Sequence, residues 1–89
     1  MRIEYTVQIW KEGNQFVAHA MPLDVASSGS TPDQARDALD EAVALFLKTA
    51  IDQGTIAEVL EESGYVHEMD AWRSPSFVAV ERRTATVGA

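Results

Sequence analysis

Apolar and polar residues alternate along the start of the chain. Within 2–11, Ile3, Tyr5, Val7 and Ile9 occupy every second position and so share one face. This period of two is typical of a half-buried strand, so the sequence predicts a strand over 2–11. Glu12-Gly13-Asn14 can form a tight turn before a second strand over 15–21. Pro22 ends that strand because proline has no N–H to donate to a neighbour.

The pattern changes to a helical period after residue 31. Thr31 can cap a helix, Pro32 suits its first turn, and Gln34 completes a capping box. Apolar residues then recur at steps of three and four: Ala35, Ala38, Leu39, Ala42, Val43, Phe46, Ala50 and Ile51. This spacing predicts an amphipathic helix over 31–53, ended by Gly54 as a C-terminal cap.

The remaining segments are shorter. Residues 25–28 predict a third, small and polar strand, and Thr55 repeats the capping-box pattern before a second helix that ends at Ser63. Residues 65–75 have no period and are predicted irregular, whereas 77–81 predict a last strand. The predicted fold is therefore α+β: a three-stranded antiparallel sheet plus a C-terminal strand, in the order β-β-β-α-α-β, with the helices on one face.

Length and composition restrict the possible functions. The chain of 89 residues is predicted to be a single domain over 1–89, and it has no cysteine, which excludes disulfides and thiolate chemistry. No apolar run approaches the ~20 residues of a membrane span, and no secretory signal is visible at the start. We therefore expect a cytoplasmic protein that does not bind membranes.

Acidic residues are concentrated in one part of the chain. The formal net charge is −7, and the stretch from Asp33 to Asp70 holds ten acids against two bases. Such a chain has few cations for phosphate groups, so direct binding of nucleic acid is not expected. The acidic stretch could steer a basic protein partner, and Asp37, Asp40 and Glu41 on the polar side of the long helix are the candidate contacts. The alternative is a solvated helix surface whose charge only maintains solubility.

The residue types that carry catalysis are sparse. His19 lies within the second predicted strand, and His67 lies in the acidic segment His67-Glu68-Met69-Asp70, but neither has partners at a recognised metal-ligand spacing. No serine stands in a nucleophile elbow. The helix acids point away from the predicted sheet and do not converge with Glu4. We therefore expect no enzymatic activity, no metal site and no cofactor.

Trp10 is the candidate for an interface residue. It falls on the strand face opposite Ile3, Tyr5, Val7 and Ile9, where an isolated monomer would expose it. Tryptophan is enriched at interface centres, so this position favours self-association into a dimer or tetramer. The alternative is that the second helix or segment 65–75 covers it. Trp72 is also predicted to be exposed.

Several of these segments together resemble a known family. Residues 3–9, Phe16-Val17-Ala18-His19-Ala20 and Gly29-x-Thr31-Pro32-Asp33-Gln34-Ala35 resemble the HicB-like antitoxins. The similarity covers roughly residues 2–53. Members commonly have Pro-x-Leu-Pro-Gly after the second strand, whereas this chain has Met21-Pro22-Leu23-Asp24-Val25.

The resemblance implies a degenerate RNase H-like fold without the nuclease acids. It also implies that the chain neutralises a small basic ribonuclease toxin by docking over the toxin's active site, and that it forms homo-oligomers. Many members add a C-terminal DNA-binding domain, and we expect none in this chain, which would make it the short stand-alone form. The alternative function is an orphan homo-oligomeric domain of the same fold that binds another protein or a small ligand.

Overall fold

Two small sheets and two helices make up the fold. The computed structural model describes residues 1–88. Its elements follow in the order β1 (Arg2–Ile3), β2 (Thr6–Glu12), β3 (Gln15–Met21), β4 (Val25–Gly29), α1 (Pro32–Asp52), α2 (Ile56–Glu62), β5 (Val66–Glu68) and β6 (Ala71–Arg73). The predicted α+β class and its order of strands, helices and strand are confirmed.

The central sheet is antiparallel with strand order β2-β3-β4. Its register pairs Trp10 with Val17 and His19 with both Gln8 and Ala26. Because side chains alternate between the faces of a sheet, the register defines two surfaces. The inner face consists of Val7, Ile9, Phe16, Ala18, Ala20 and Val25, and the outer face consists of Gln8, Trp10, Val17, His19, Met21, Ala26 and Ser28.

Helix α1 covers the inner face. Its apolar side places Ala35, Leu39 and Val43 in the core beside Ala18 and Ala20 of β3. Helical periodicity correctly predicted these buried positions, because residues three and four apart share one side of a helix. The helix thus turns its polar side to solvent.

The start of α1 is fixed by two features. Thr31 Oγ1 accepts a hydrogen bond of 3.0 Å from the backbone N–H of Gln34, as the predicted cap requires. The Gln34 side chain in turn accepts from the backbone N–H of Ser30 at 3.2 Å, one residue before the expected position. Gly29 lies so close to the helix that a Cβ there would stand 2.6 Å from the backbone nitrogen of Ala35. The strand-to-helix turn therefore requires glycine.

The second sheet has the order β1-β6-β5. Strand β1 pairs in parallel with β6, which places Ile3 beside Trp72, and β5 pairs antiparallel with β6. Leu60 of α2, together with Tyr65 and Trp72, extends the core under this sheet.

The structure divides the predicted strand over 2–11. The partner strand changes between Glu4 and Thr6: β1 pairs with β6, with the Glu4 N–H still donating to Trp72, whereas β2 pairs with β3. The predicted apolar face is nevertheless correct, since Ile3, Val7 and Ile9 all pack against the core. A change of partner does not disturb the period of two, so the sequence pattern does not reveal it.

The C-terminal strands lie in a different place from the predicted one. Residues 65–75 were predicted irregular, but they contain the hairpin of β5 and β6. Residues 77–81, predicted as the last strand, have no regular structure, and the whole segment 74–88 contains no helix or strand. A strand needs a neighbour to pair with, and no strand within residues 1–88 pairs with these residues.

Three side chains also differ from expectation. Trp72, predicted exposed, is only 5% exposed because it packs into the core beside Ile3. Ile51, assigned to the apolar side of α1, is 48% exposed in the last turn of the helix. Thr55 does not cap α2 with its side chain, and its hydroxyl lies within 3.4 Å of the carbonyl oxygen of Ala50.

Candidate partner-binding surfaces

The polar side of α1 carries a compact group of exposed carboxylates. Asp37, Asp40 and Glu41 lie three and four residues apart, so they share one side of the helix, and all three are exposed. We call these three residues the acidic surface. Sequence periodicity predicted both their exposure and their proximity.

Other acids of the same helix are neutralised locally. Asp33 forms an ion pair with Arg36 at 2.5 Å, and Asp52 forms one with Lys48 at 2.7 Å. Within residues 1–88, by contrast, neither Asp37 nor Glu41 has a cationic partner. The negative charge available to a partner is therefore concentrated on the acidic surface.

Asp40 also connects the helix to the N-terminal strands. The hydroxyl of Tyr5 donates a hydrogen bond of 3.2 Å to its carboxylate. Burial of the ring, the negative charge of Asp40 and this hydrogen bond all raise the pKa of Tyr5 above its ordinary value of 10.0. The tyrosine thus stays protonated and holds the Asp40 end of the acidic surface. The two residues are 35 positions apart, so no local pattern could predict the contact.

Trp10 lies on the outer face, on the opposite side of the sheet from α1. Its side chain is 39% exposed, and neither α2 nor segment 65–75 covers it. The indole Nε1 donates to Glu12 at 3.0 Å, and the ring meets that of His19 edge-on with the centroids 6.0 Å apart. The structure therefore separates the four predicted partner-binding residues into the acidic surface on one side and Trp10 on the other.

The outer face also holds a histidine–carboxylate pair that sequence reasoning missed. His19 Nε2 lies 2.6 Å from Asp24 Oδ1, a distance at which a carboxylate accepts a hydrogen bond from the ring. Asp24 adopts a positive φ of 61°, which turns it back toward β3. An aspartate five positions after a strand histidine, beyond a proline, was the available signal. The pair fixes the imidazole against Trp10 and gives the outer face a defined polar site.

Glu4 and Tyr65 stabilise the second sheet. Arg73 bridges the carboxylates of Glu4 and Glu68 at 2.9 and 3.3 Å, which joins β6 to β5 and to the residue that follows β1. The Tyr65 hydroxyl donates a hydrogen bond to the backbone carbonyl of Glu4. Burial, then the charge of Glu4 and the neighbouring Tyr5, raise the pKa of Tyr65 to about 12. Glu4 thus helps to hold the second sheet together through its ion pair with Arg73.

Within residues 1–88, no three side chains of the histidine, cysteine, aspartate or glutamate types come together as metal ligands. Over the same residues no helix is long and apolar enough to cross a membrane. His67, which the sequence places in an acidic segment, stacks on Trp72 with ring centroids 4.5 Å apart. The imidazole of His67 therefore packs against an indole ring.

Comparison of the chain with models of protein families, with curated proteins and with solved structures finds no match. The resemblance of residues 2–53 to the HicB-like antitoxins therefore stays a prediction.

Proposed function

We propose that this chain is a non-catalytic protein-binding module that, like the HicB-like antitoxins, neutralises a small basic ribonuclease toxin in the cytoplasm. The observation that carries the proposal is the acidic surface, because it presents exposed carboxylates of which Asp37 and Glu41 have no cationic partner among the described residues. The motif resemblance over residues 2–53 supports the same partner class.

The physical role of the acidic surface is to accelerate encounter with a cationic protein. Exposed ion pairs contribute only ~0.2–1 kcal/mol each, so three of them do not hold a complex by themselves. Complementary charge mainly raises the association rate, and salt screens that effect. A protein that blocks the active site of a ribonuclease must associate with it quickly, and the acidic surface would supply that high association rate.

The direct test is recovery of a basic partner and inhibition of its activity. The tagged chain is co-expressed with any small basic protein encoded beside it, the complex is purified, and RNA cleavage by the partner is measured with and without the chain. The proposal expects a stable complex in which cleavage is lost. A partner that cleaves RNA equally well in the complex would contradict it.

Charge variants then test the surface itself. Replacing Asp37, Asp40 and Glu41 by Asn, Asn and Gln should slow association and flatten its dependence on salt, while dissociation changes little. The matched control replaces Glu58, Glu61 and Glu62 of α2 by Gln, which removes the same net charge at another place. Equal slowing by both triple variants would show that only net charge matters.

A second candidate function is favoured by the outer face. The exposed Trp10, held by Glu12 and His19, fits an orphan homo-oligomeric domain that binds another protein or a small ligand there. For contact through this face, Trp10→Ala should accelerate dissociation of the partner and leave the association rate unchanged. Faster dissociation without any effect of the α1 triple variant would favour this second function.

A further inference from the structure

The C-terminal segment has the composition of a strand but pairs with no strand among residues 1–88. Residues 76–81 read Ser-Phe-Val-Ala-Val-Glu, in which three of the six residues are aromatic or β-branched, the types that favour strands. Val78 is 96% exposed and Val80 is 78% exposed, so the segment leaves its apolar side chains in solvent. We call residues 76–81 the tail segment. Such a segment is a ready partner for an open sheet edge.

The central sheet offers such an edge along β2. The order β2-β3-β4 leaves one side of β2 without a neighbour over all seven of its residues. An open edge exposes unpaired N–H and C=O groups that can accept another strand. The edge of β4 is a poorer acceptor, because that strand has five residues and ends at Gly29 against the start of α1.

The chain passes close to this edge and then leaves it. The parallel pairing of β1 with β6 matches Ile3 to Trp72, and continuing that register would place Val78 beside Ile9 and Val80 beside Lys11. Val78 and Val80 would then lie on the inner face, where apolar side chains are buried. Instead the chain diverges at Ser74 and Pro75, and an open groove separates residues 3–6 from 74–77. Proline cannot donate to the ladder, which explains the divergence there.

We propose that the tail segment of one copy adds as a strand to the open edge of β2 in a second copy, and that the reciprocal exchange forms a homodimer. The tail segment extends away from its own sheet. The radius of gyration of the chain is accordingly 15.4 Å, against about 12 Å for a compact chain of this length. Exchange of a terminal segment between identical copies is a low-cost route to a dimer. The exchange buries Val78 and Val80 and pairs the open β2 edge of each copy.

Charge also favours a second copy as the occupant. Residues 1–73 hold 13 acids and five bases, whereas residues 74–88 hold two arginines, Arg82 and Arg83, and one glutamate. Residues 74–88, which contain the tail segment, are therefore slightly cationic and would meet a strongly acidic body. This inference does not depend on the proposed toxin partner, since it uses neither the acidic surface nor any ribonuclease.

The first experiment measures assembly of the full chain by sedimentation equilibrium at micromolar concentration. The proposal expects a dimer of twice 9.8 kDa. In the variant Ala79→Pro with Val80→Pro, one of the two lost N–H groups must face β2, because consecutive N–H groups point to opposite sides of a strand. The dimer dissociation constant should rise at least about tenfold.

The matched control is Ala85→Pro with Thr86→Pro, which makes the same change outside the tail segment and should leave the dissociation constant within about twofold. A species of 9.8 kDa for the unmodified chain would overturn the proposal. So would a dimer that both proline variants weaken equally.

The second experiment distinguishes exchange from pairing within one chain. The chain has no cysteine, so single variants Gln8→Cys on β2 and Ala79→Cys in the tail segment provide unique sites. A short bismaleimide should join the two variants when they are mixed. The double variant carries both cysteines, Gln8→Cys and Ala79→Cys, in one chain. If crosslinks form only within single chains of this double variant, at a rate independent of concentration, the tail segment pairs with its own sheet and the proposal fails.

Discussion

The two faces of the central sheet differ in what lies on them. The inner face is covered by α1, and its alanines Ala18 and Ala20 are fully buried against Leu39. The outer face has no covering helix and presents Trp10 to solvent. The inner face therefore determines stability, whereas the outer face and the polar side of α1 are available for recognition.

The largest effect is expected at the centre of the inner face. Leu39→Ala removes a side chain with no exposed surface and should lower the free energy of unfolding by ~2–5 kcal/mol, because a cavity remains. Urea denaturation followed by circular dichroism measures the change. The matched control is Leu45→Ala on the same helix, where the side chain is 66% exposed and the loss should be small. Similar losses for both variants would contradict the division between the faces.

The contact between Gly29 and α1 should give the next largest effect. Gly29→Ala places a methyl group 2.6 Å from the backbone nitrogen of Ala35, so strand and helix must separate. We expect a loss of ~1–3 kcal/mol in unfolding free energy. Ser28→Ala, one residue earlier on the exposed outer face, is the control and should change stability by less than about 0.5 kcal/mol. A neutral Gly29→Ala would show that the turn is not constrained.

Tyr65 predicts a smaller effect with a distinct pH dependence. Its hydroxyl donates to the backbone of Glu4, so Tyr65→Phe should cost ~0.5–1.5 kcal/mol near neutral pH. Since folding raises its pKa from 10.0 to about 12, the stability linked to this group is fully present below pH 10.0 and is lost as the pH rises to about 12. Unfolding measured across this range should show a shallower alkaline loss for the variant. An unchanged slope would exclude the raised pKa.

The same comparison explains which elements could be predicted from sequence. Leu39 and Val43 share a helical period with Ala35, and Val7 and Ile9 share a strand period, because each element buries one continuous face. A buried face repeats along the chain, so it is visible in the sequence. The division of β1 from β2 changes only the partner strand and leaves the period intact.

The C-terminal region shows the opposite case. Strands β5 and β6 have three residues each and turn at Met69, which has an unusual positive φ of 54°, so neither length nor turn composition indicates a hairpin. Residues 77–81 have strong strand propensity, but they pair with no strand in the part of the chain that the structure describes. Strand propensity measures fit to a sheet surface, so it cannot by itself place a strand.

The candidate surfaces show the same distinction between features that repeat along the chain and features that depend on tertiary contacts. The exposure of Asp37, Asp40 and Glu41 was predicted because it follows from the helical period that buries Leu39. The pairs Tyr5–Asp40 and His19–Asp24 were not predicted, since they depend on how separate elements meet. Local periodicity thus predicts which side chains are exposed, whereas tertiary packing determines which of them form hydrogen bonds with another element.

The smallest effect on stability is expected at Trp10. Trp10→Phe keeps an aromatic side chain on a strand and loses only an exposed hydrogen bond to Glu12, so unfolding free energy should change by less than about 0.5 kcal/mol. Trp72→Phe makes the same change at a site that is 5% exposed and should cost more, because it leaves space in the core. Acrylamide quenching separates the two indoles. Emission from Trp72 alone, in the Trp10→Phe variant, should resist quenching, whereas emission from Trp10 alone should be quenched readily. Resistance of both indoles to quenching would show that the outer face is covered in solution, and the division between the two faces would then fail.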